Sequence, residues 1–571
     1  MLDGLNPAQL EVVLCGQHCL AVACPGAGKT RTIASKAAHC LADPARRVGA
    51  VTFSRDAAVE LRDRILALAG KNCKPRLKAG TFHSLAFAQI SAGGKRRDVA
   101  SDGDRSGIVA RVLGESGVSW TLEEAVQVIE RIKTDFGRVQ EGTDDARLYH
   151  AYQEALARNG KIDFQDMLRL AVAGMDSGDI EPYALTDLLV DEFQDTDPLQ
   201  YRWIEHHARA GATVTVVGDD DQSIYGFRAA LGYRGMETFA SMLDARRVVL
   251  GSNYRCHGEI LAAADAVIRN NAERIPKVLH AEKGPGGTVA VLRFEDEYDE
   301  AVAAIEMLQS RLAADTSGAV LARTNRILDP LEAVCRSHGV SYYRASGYSV
   351  LSRPEGALMC NLFEIIQQSK TNGLDAVLAF AGMGTSDLSA LHDAMGPSLI
   401  QRQKKDIVAL GLSDETATAY RAFIKRLAEW QGLCTRQLYS LVLEGVREWM
   451  LGFAKKDAAI RAIVATYDVL SRLNGPFNER IAFMKRENNQ PRPGAMVLTT
   501  MHSSKGLEWD HVWMIRAEES VVPDEKSPES EERRLFYVAM SRARQTLTIS
   551  STRKNPVSRF TIESGALDHP T

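Results

Sequence analysis

The sequence lacks a strong net charge. Its 571 residues include 69 Lys and Arg against 73 Asp and Glu, a formal charge of -4. Bulk electrostatics therefore announce no polyanionic partner, and any basic surface must be local. The chain also lacks an apolar run of about 18 residues, so no membrane-spanning helix is expected. Its start, MLDGLNPAQLEVV, has neither the basic n-region nor the apolar h-region of a secretory signal. Cysteine is sparse and odd in number, 9 residues scattered from Cys15 to Cys434. That argues against a disulfide framework and for a reducing compartment, the cytoplasm. CGQHC at Cys15–Cys19, with Cys24 close behind, has the residue types of a metal site. No second ligand pair follows, and the two cysteines flank a helix-to-strand turn, so small buried thiols are the expectation. No solenoid repeat and no long low-complexity segment is present. What remains, 45% hydrophobic and 25% charged residues, is ordinary for a globular chain of several domains.

What is there begins with LAVACPGAGKTRTIASKAAHCLA. LAVAC reads as a short buried strand, CPGAG as a tight turn, and KTRTIASKAAHCL as a helix. This is the phosphate-loop arrangement, although Ala23 replaces the first glycine of the strict pattern. Ala23, Cys24, Pro25, Gly26, Ala27 and Gly28 form the loop, where backbone N–H groups and the helix N-terminus face phosphates. Lys29 reaches the β- and γ-phosphates, and the Thr30 hydroxyl ligates Mg²⁺. Such a loop needs an acidic partner. ALTDLLVDEFQDTDPLQ supplies an apolar strand ending in Asp191, which holds Mg²⁺, and Glu192, which activates the attacking water. A third strand runs through ATVTVVG into GDDDQSIYGFRAA. Strands alternating with helices imply a parallel sheet with its site at the carboxyl ends of the strands. Gln222 then lies within reach of a γ-phosphate. The three aspartates before it have the composition of a metal site, but loop-fixing groups are the expected role. Tyr225, Phe227 and Arg228 suit something flat and anionic.

Together these stretches resemble the UvrD/Rep/PcrA-like superfamily 1 DNA helicases over nearly the whole chain. LNPAQ, ACPGAGKTR, AVTFSRDAAVELRDRI, AGTFHSLAFAQI, KIDFQDML, VDEFQDTDPLQ, VGDDDQSIYGFRAA, LGSNYRCHGEIL, MHSSKGLEWDHVWMI and EERRLFYVAMSRARQTLTI occur in the family's order. The resemblance implies ATP and Mg²⁺ as cofactors. It implies Gln9 and Arg31 at the base edge and phosphate side, Tyr254 stacked on adenine, and Gly506 and Glu508 near the sugar. Arg255 and Arg542 would reach the γ-phosphate from a second motor domain, completing a catalytic set with Lys29, Asp191, Glu192 and Gln222. DNA contacts would come from Thr52, Phe53, Ser54, Thr81, Phe82, His83, Tyr225, Phe227, Arg228, His502 and Ser503. The family usually has Trp where this chain has Phe227, which weakens stacking without abolishing it.

The implied fold class is α/β, with two RecA-like P-loop motor domains, each interrupted by a mainly helical insertion. The expected boundaries are 1–88 and 150–245 for the first motor domain and 89–149 for its insertion, which includes GGKRRD. They are 246–368 and 495–571 for the second motor domain and 369–494 for its reduced insertion. The implied activity is ATP-dependent translocation on single-stranded DNA with 3′→5′ polarity, coupled to unwinding in repair, replication or recombination. Partners would be single-stranded DNA, duplex/single-strand junctions, and a nuclease or repair or replication factor, with no membrane. The alternative is a DNA-stimulated translocase that displaces proteins or supports a partner nuclease and unwinds weakly alone. A nucleotide-gated DNA scaffold needs no full hydrolytic set, and RNA as substrate is disfavoured by the resemblance alone.

Overall fold

The structure is a computed structural model. It describes residues 2–92, 98–116, 118, 120–312, 316–345, 354–367, 374–383, 388, 414–454, 457–473, 475–485 and 494–568. The GGK and following arginines of GGKRRD lie outside the described residues. The chain forms two compact units, Met1–Thr288 with Pro523–Gln545 and Ile562–Asp568, and Val289–Val522 with Thr546–Thr561.

The first unit is built on a six-stranded sheet. Its order is Leu77–Thr81, Val48–Thr52, Asp187–Val190, Thr213–Gly218, Cys19–Ala23, Arg246–Leu250. Every neighbouring pair is parallel. The sequence of the central strand CLAVA explains why both faces are covered. Side chains alternate along a strand, so Leu20 and Val22 enter one core with Phe82, Trp203 and Phe239. Cys19, Ala21 and Ala23 enter the other with Val12, Ile33 and Ile65. A parallel sheet buried on both faces puts its loops at one edge, where the strands end. Strand Arg246–Leu250 pairs with Cys19–Ala23, so this segment, expected in the second motor domain, completes the first sheet.

Helices Asp102–Ser116, Leu122–Thr134 and Asp144–Arg158 share a separate small core of Ile108, Val112, Ile129, Leu148 and Tyr152. The last of these helices carries the first insertion beyond the expected residue 149, because Leu148, Tyr152 and Leu156 face that core.

The second unit holds another six-stranded sheet, ordered Thr288–Phe294, Ala543–Thr552, Trp509–Met514, Gly318–Ala322, Met496–Thr500, Tyr342–Arg344. Helices Glu297–Arg311 and Leu328–Ser337 cover it through Ile305, Leu308, Leu331 and Val334. A helical cluster with its own core of Phe363, Phe423, Trp430, Val446 and Phe477 forms the second insertion. Helix Pro354–Ile366 already belongs to this cluster, since Met359, Phe363 and Ile366 point into it. The insertion therefore starts before the expected residue 369. The fold is α/β with two parallel-strand RecA-like sheets. Among the described residues no helix is long and apolar enough to cross a membrane. All nine cysteines carry free thiols.

Candidate functional site

The phosphate loop leaves strand Cys19–Ala23 and enters helix Lys29–Leu41. Gly26 and Gly28 have φ of 65° and 75°, values that glycine adopts without steric penalty. Gly26 has a second constraint, since a Cβ there would lie 2.7 Å from Arg255 Cβ. Helix Pro7–Leu14 starts with a capping box in which Gln9 N donates to Asn6 Oδ1 at 2.8 Å and Asn6 N donates to Gln9 Oε1 at 3.1 Å. Gln9 Nε2 donates to Ala27 O at 2.9 Å. Gln9 thus braces the loop from behind, buried, with both ends of its amide engaged. Arg31 is exposed and donates to Asp3 O at 3.3 Å.

At the strand ends opposite, Thr30 Oγ1 donates to Asp191 Oδ2 at 3.2 Å, and Lys29 Nζ meets Glu192 Oε2 at 3.0 Å. Burial pushes Asp191 up to about 7; the Glu192 charge adds to this and Lys29 opposes it. Burial works against the Lys29 ammonium, but Glu192, Asp219 and Asp191 outweigh it and hold its pKa above the ordinary lysine value. Glu192 sits in the left-handed region at φ 53°, a conformation that costs a non-glycine residue of order 1–3 kcal/mol and clusters at working sites. A hydroxyl beside a buried, poorly compensated carboxylate is a hard oxygen pair, and this donor set fits Mg²⁺.

Beyond Glu192 a hydrogen-bonded chain continues. Gln194 Nε2 donates to Glu192 Oε2 at 2.6 Å, and Asp219 N donates to Gln194 Oε1 at 2.9 Å. Gln222 Nε2 donates to Asp219 Oδ2 at 2.5 Å, and Arg542 Nη2 donates to Gln222 Oε1 at 3.0 Å. Arg542 is almost fully buried and its Nε is held by Val538 O at 2.8 Å. Arg255 Nη1 donates to Ser541 O at 3.1 Å. The segment before it clasps the phosphate loop: Asn253 Nδ2 donates to Pro25 O at 2.6 Å and Tyr254 N to Gly26 O at 3.1 Å. The half-exposed Tyr254 ring accepts at its hydroxyl from Asn6 Nδ2 at 2.9 Å. Lys29, Thr30, Asp191, Glu192, Gln222, Arg255 and Arg542 are therefore brought together. Gln194 and Asn253 belong to the same network and were missed; both lay inside motifs read for their charged neighbours.

The three aspartates are not an open cation site. Lys277 Nζ stands 2.5, 2.8 and 3.0 Å from carboxylate oxygens of Asp219, Asp220 and Asp221, and all four side chains are fully buried. Arg274 adds a bidentate pair to Asp221 at 3.0 and 2.7 Å. Neither cation was foreseen; the only sequence signal was that three adjacent carboxylates require a counter-charge when buried.

Just past Gln222 the loop emerges. Tyr225 stacks on Phe53, with ring centroids 5.8 Å apart and planes 6° from parallel. Phe227 is 67% exposed, and the Arg228 guanidinium lies 5.7 Å from the Tyr225 ring and 5.5 Å from that of Phe227. His83 stacks on the exposed Phe164 at 4.0 Å, and burial lowers its pKa to about 4 against the pull of Asp163. Two expected DNA contacts are corrected. Thr52 is buried at a strand end, and Phe82 packs edge-on against Trp203 at 5.7 Å within the core. Ser54 caps helix Arg55–Ala69 by accepting from Ala57 N at 3.2 Å, and Thr81 exchanges hydrogen bonds with Ser84.

In the second unit, His502, Ser503, Gly506 and Glu508 occupy the turn between strands Met496–Thr500 and Trp509–Met514. Gly506 has φ 86°, and Ser503 N donates to Thr500 Oγ1 at 3.2 Å. Burial, helped by Arg323, lowers the His502 pKa to about 4.

Comparison with known proteins adds a second line. Residues 5–232 match the UvrD/REP helicase N-terminal domain, and residues 248–394 and 469–554 match the UvrD-like helicase C-terminal domain. ATP-dependent DNA helicase PcrA of Leuconostoc citreum is 26% identical over 99% of this chain and 85% of its own length. DNA helicase II of Haemophilus influenzae is 28% identical over 96% of this chain and 84% of its own. ATP-dependent DNA helicase Rep of Escherichia coli is 27% identical over 96% and 90%.

Proposed function

Because the chain belongs to the UvrD/Rep helicase family, we propose that it is an ATP-dependent DNA helicase that moves 3′→5′ along single-stranded DNA and opens duplexes ahead of it. One observation carries this reading. Gln222 is hydrogen-bonded into the phosphate-loop network, while Tyr225, three residues on, stacks at an aromatic surface with Phe53. A change in phosphate occupancy at one end of so short a loop is felt at the other. Every base offers a π-face, so stacking grips DNA without reading its sequence, as a motor requires.

The residues divide the chemistry. Thr30 and Asp191 would hold Mg²⁺, which neutralises charge on the transferred phosphoryl group. Lys29, paired with Glu192, is claimed by a bound γ-phosphate, and that leaves the Glu192 carboxylate to orient and deprotonate water. Gln194 keeps Glu192 aimed. Arg255 and Arg542 stabilise charge in the transition state. Tyr254 packs on the base, and Gln9 supports the loop rather than reaching outward. Phe53, Tyr225, Phe227, Arg228 and His83 supply the first unit's DNA grip, with His502 and Ser503 in the second.

The test is steady-state ATP hydrolysis with and without single-stranded DNA, beside Lys29→Ala, followed by unwinding of partial duplexes tailed at either end. DNA-stimulated hydrolysis abolished by the substitution is expected, with unwinding only from a 3′ tail. A second reading, a translocase that unwinds weakly alone, draws support from length. The alignment with the Leuconostoc protein spans 642 positions against 571 residues here, so this chain is trimmed between shared motifs. Strong DNA-stimulated hydrolysis without strand separation would favour it.

A further inference from the structure

Asp219 divides its contacts between an anchor and a target. Its Oδ1 accepts from Lys277 Nζ at 2.5 Å and from Asp221 N at 3.2 Å. Its Oδ2 accepts from Gln222 Nε2 at 2.5 Å. We propose that Asp219, anchored by Lys277, is the positioning residue that decides which way the Gln222 amide faces. The inference rests on the functional reading above and assigns work to residues that reading leaves idle.

The chemistry allows one arrangement. A side-chain amide has a donor end and an acceptor end, and an ionised carboxylate only accepts. Asp219 therefore selects Nε2 of Gln222, and Oε1 is left facing Arg542 Nη2 at 3.0 Å. The flipped amide would set oxygen against carboxylate and NH₂ against guanidinium. Lys277 fixes the selector. It is fully buried among the aspartates and its Nζ also reaches Ala23 O at 3.4 Å, at the end of the strand that becomes the phosphate loop. The Asp219 amide is tied through Gln194 to Glu192. Gln222 is thus aligned relative to both the phosphate loop and the water-activating carboxylate.

Asp220 provides an internal control. Its carboxylate accepts from Ile275 N at 2.7 Å and Lys277 Nζ at 2.8 Å, whereas Gln222 Nε2 donates to Asp219 Oδ2. Asp219→Asn and Asp220→Asn remove the same charge from the same buried cluster. In Asp219→Asn, Lys277 and the Asp221 N–H still need an oxygen at Oδ1, so the new NH₂ confronts Gln222 Nε2. The expected result is a kcat for ATP hydrolysis lowered tenfold to about a hundredfold, the scale of a small misplacement at a reacting centre, with KM for ATP little changed. Asp220→Asn should keep kcat near the parent value at a similar thermal midpoint. Introduced into Gln222→Ala, Asp219→Asn should cause no further loss, because the two act as one unit. Lys277→Met combined with Asp220→Asn removes the anchor at constant net charge and should reproduce the kcat loss, which guards against a single variant that fails to fold. Equal kcat in the two asparagine variants, or a further loss in the Gln222→Ala background, would overturn the proposal and leave the helicase reading intact. A parent protein that hydrolyses no ATP would sink both.

Discussion

The two halves of GDDDQSIYGFRAA are held by different physics. Asp219 to Gln222 are buried, every carboxylate is matched to Lys277 or Arg274, and Gln222 is gripped at both ends. Tyr225 to Arg228 are held by ring contacts at 5.5–6.0 Å, and Phe227 stands mostly in solvent. Removing one partner from a buried ion cluster strands the others, so that half is intolerant of change. Weak ring contacts can be exchanged for contacts with a base at little cost. Hydrolysis needs one geometry, whereas a moving grip needs many of similar energy. The loop joins a rigid half to a compliant one.

The largest break in this contrast comes from the rigid side. Arg542→Ala removes the guanidinium from Gln222 Oε1 and should lower kcat for ATP hydrolysis by about 10³-fold, the scale for loss of an arginine finger. Affinity for single-stranded DNA, read by fluorescence anisotropy, should change little. Comparable losses in both would mean that the halves are not separable. Phe227→Ala is the reciprocal test. It should weaken DNA binding by about 1–3 kcal/mol while leaving kcat at saturating DNA close to the parent value. Phe227→Trp should tighten binding.

The rigid half was the more legible one at its ends and the less legible in its middle. Lys29, Asp191, Glu192 and Gln222 were readable because Lys29 starts a helix and the other three lie in the short turns that follow strands Asp187–Val190 and Thr213–Gly218, in a fixed order. Lys277 was not, because a lone lysine in RIPKV carries no periodic or motif signal; only the folded chain shows it beneath three aspartates. Phe82 and Thr52 illustrate the opposite error. Adjacency to a strand end does not say which side of the sheet a side chain takes, and a shift of one position exchanges core for surface. Phe53 is exposed while Thr52 beside it is buried. Likewise, strand Arg246–Leu250 was assigned by motif order, but sheet membership follows from hydrogen bonding to Cys19–Ala23.

A pH effect of intermediate size lies on the aromatic side. His83, stacked on Phe164, has its pKa lowered by burial to about 4 from a usual 6.5. A base with a depressed folded pKa contributes its full stability above the unfolded value. That contribution is lost as pH falls from 6.5 toward 4, where the unfolded chain takes up the proton first. The first unit should therefore lose on the order of 3 kcal/mol over that window from this residue, and His83→Gln should flatten the thermal midpoint against pH. DNA affinity at constant ionic strength should stay level between pH 8 and roughly 6, since His83 and His502 are neutral throughout. An affinity that climbs steeply as pH drops through 7 would mean that charged imidazoles take part in the grip.

The smallest effect falls where the loop ends. Ala229 has φ 60°, a left-handed conformation that costs a residue with a Cβ roughly 1–2 kcal/mol. Glycine would relieve that strain but gain unfolded-state entropy, which offsets about 0.5–1 kcal/mol of it. Ala229→Gly should therefore raise stability by only about 0.5 kcal/mol. The more telling readout is where its functional effect appears. Ala229 N donates to Gly226 O at 2.9 Å and Ala230 N to Tyr225 O at 3.4 Å, so this turn carries the aromatic rings and not Gln222. Freedom introduced here should speed DNA dissociation in a competition assay and leave ATP hydrolysis at saturating DNA unchanged. A fall in kcat instead would show that the turn at 229 also holds Gln222, and that the rigid half extends further than its ion pairs.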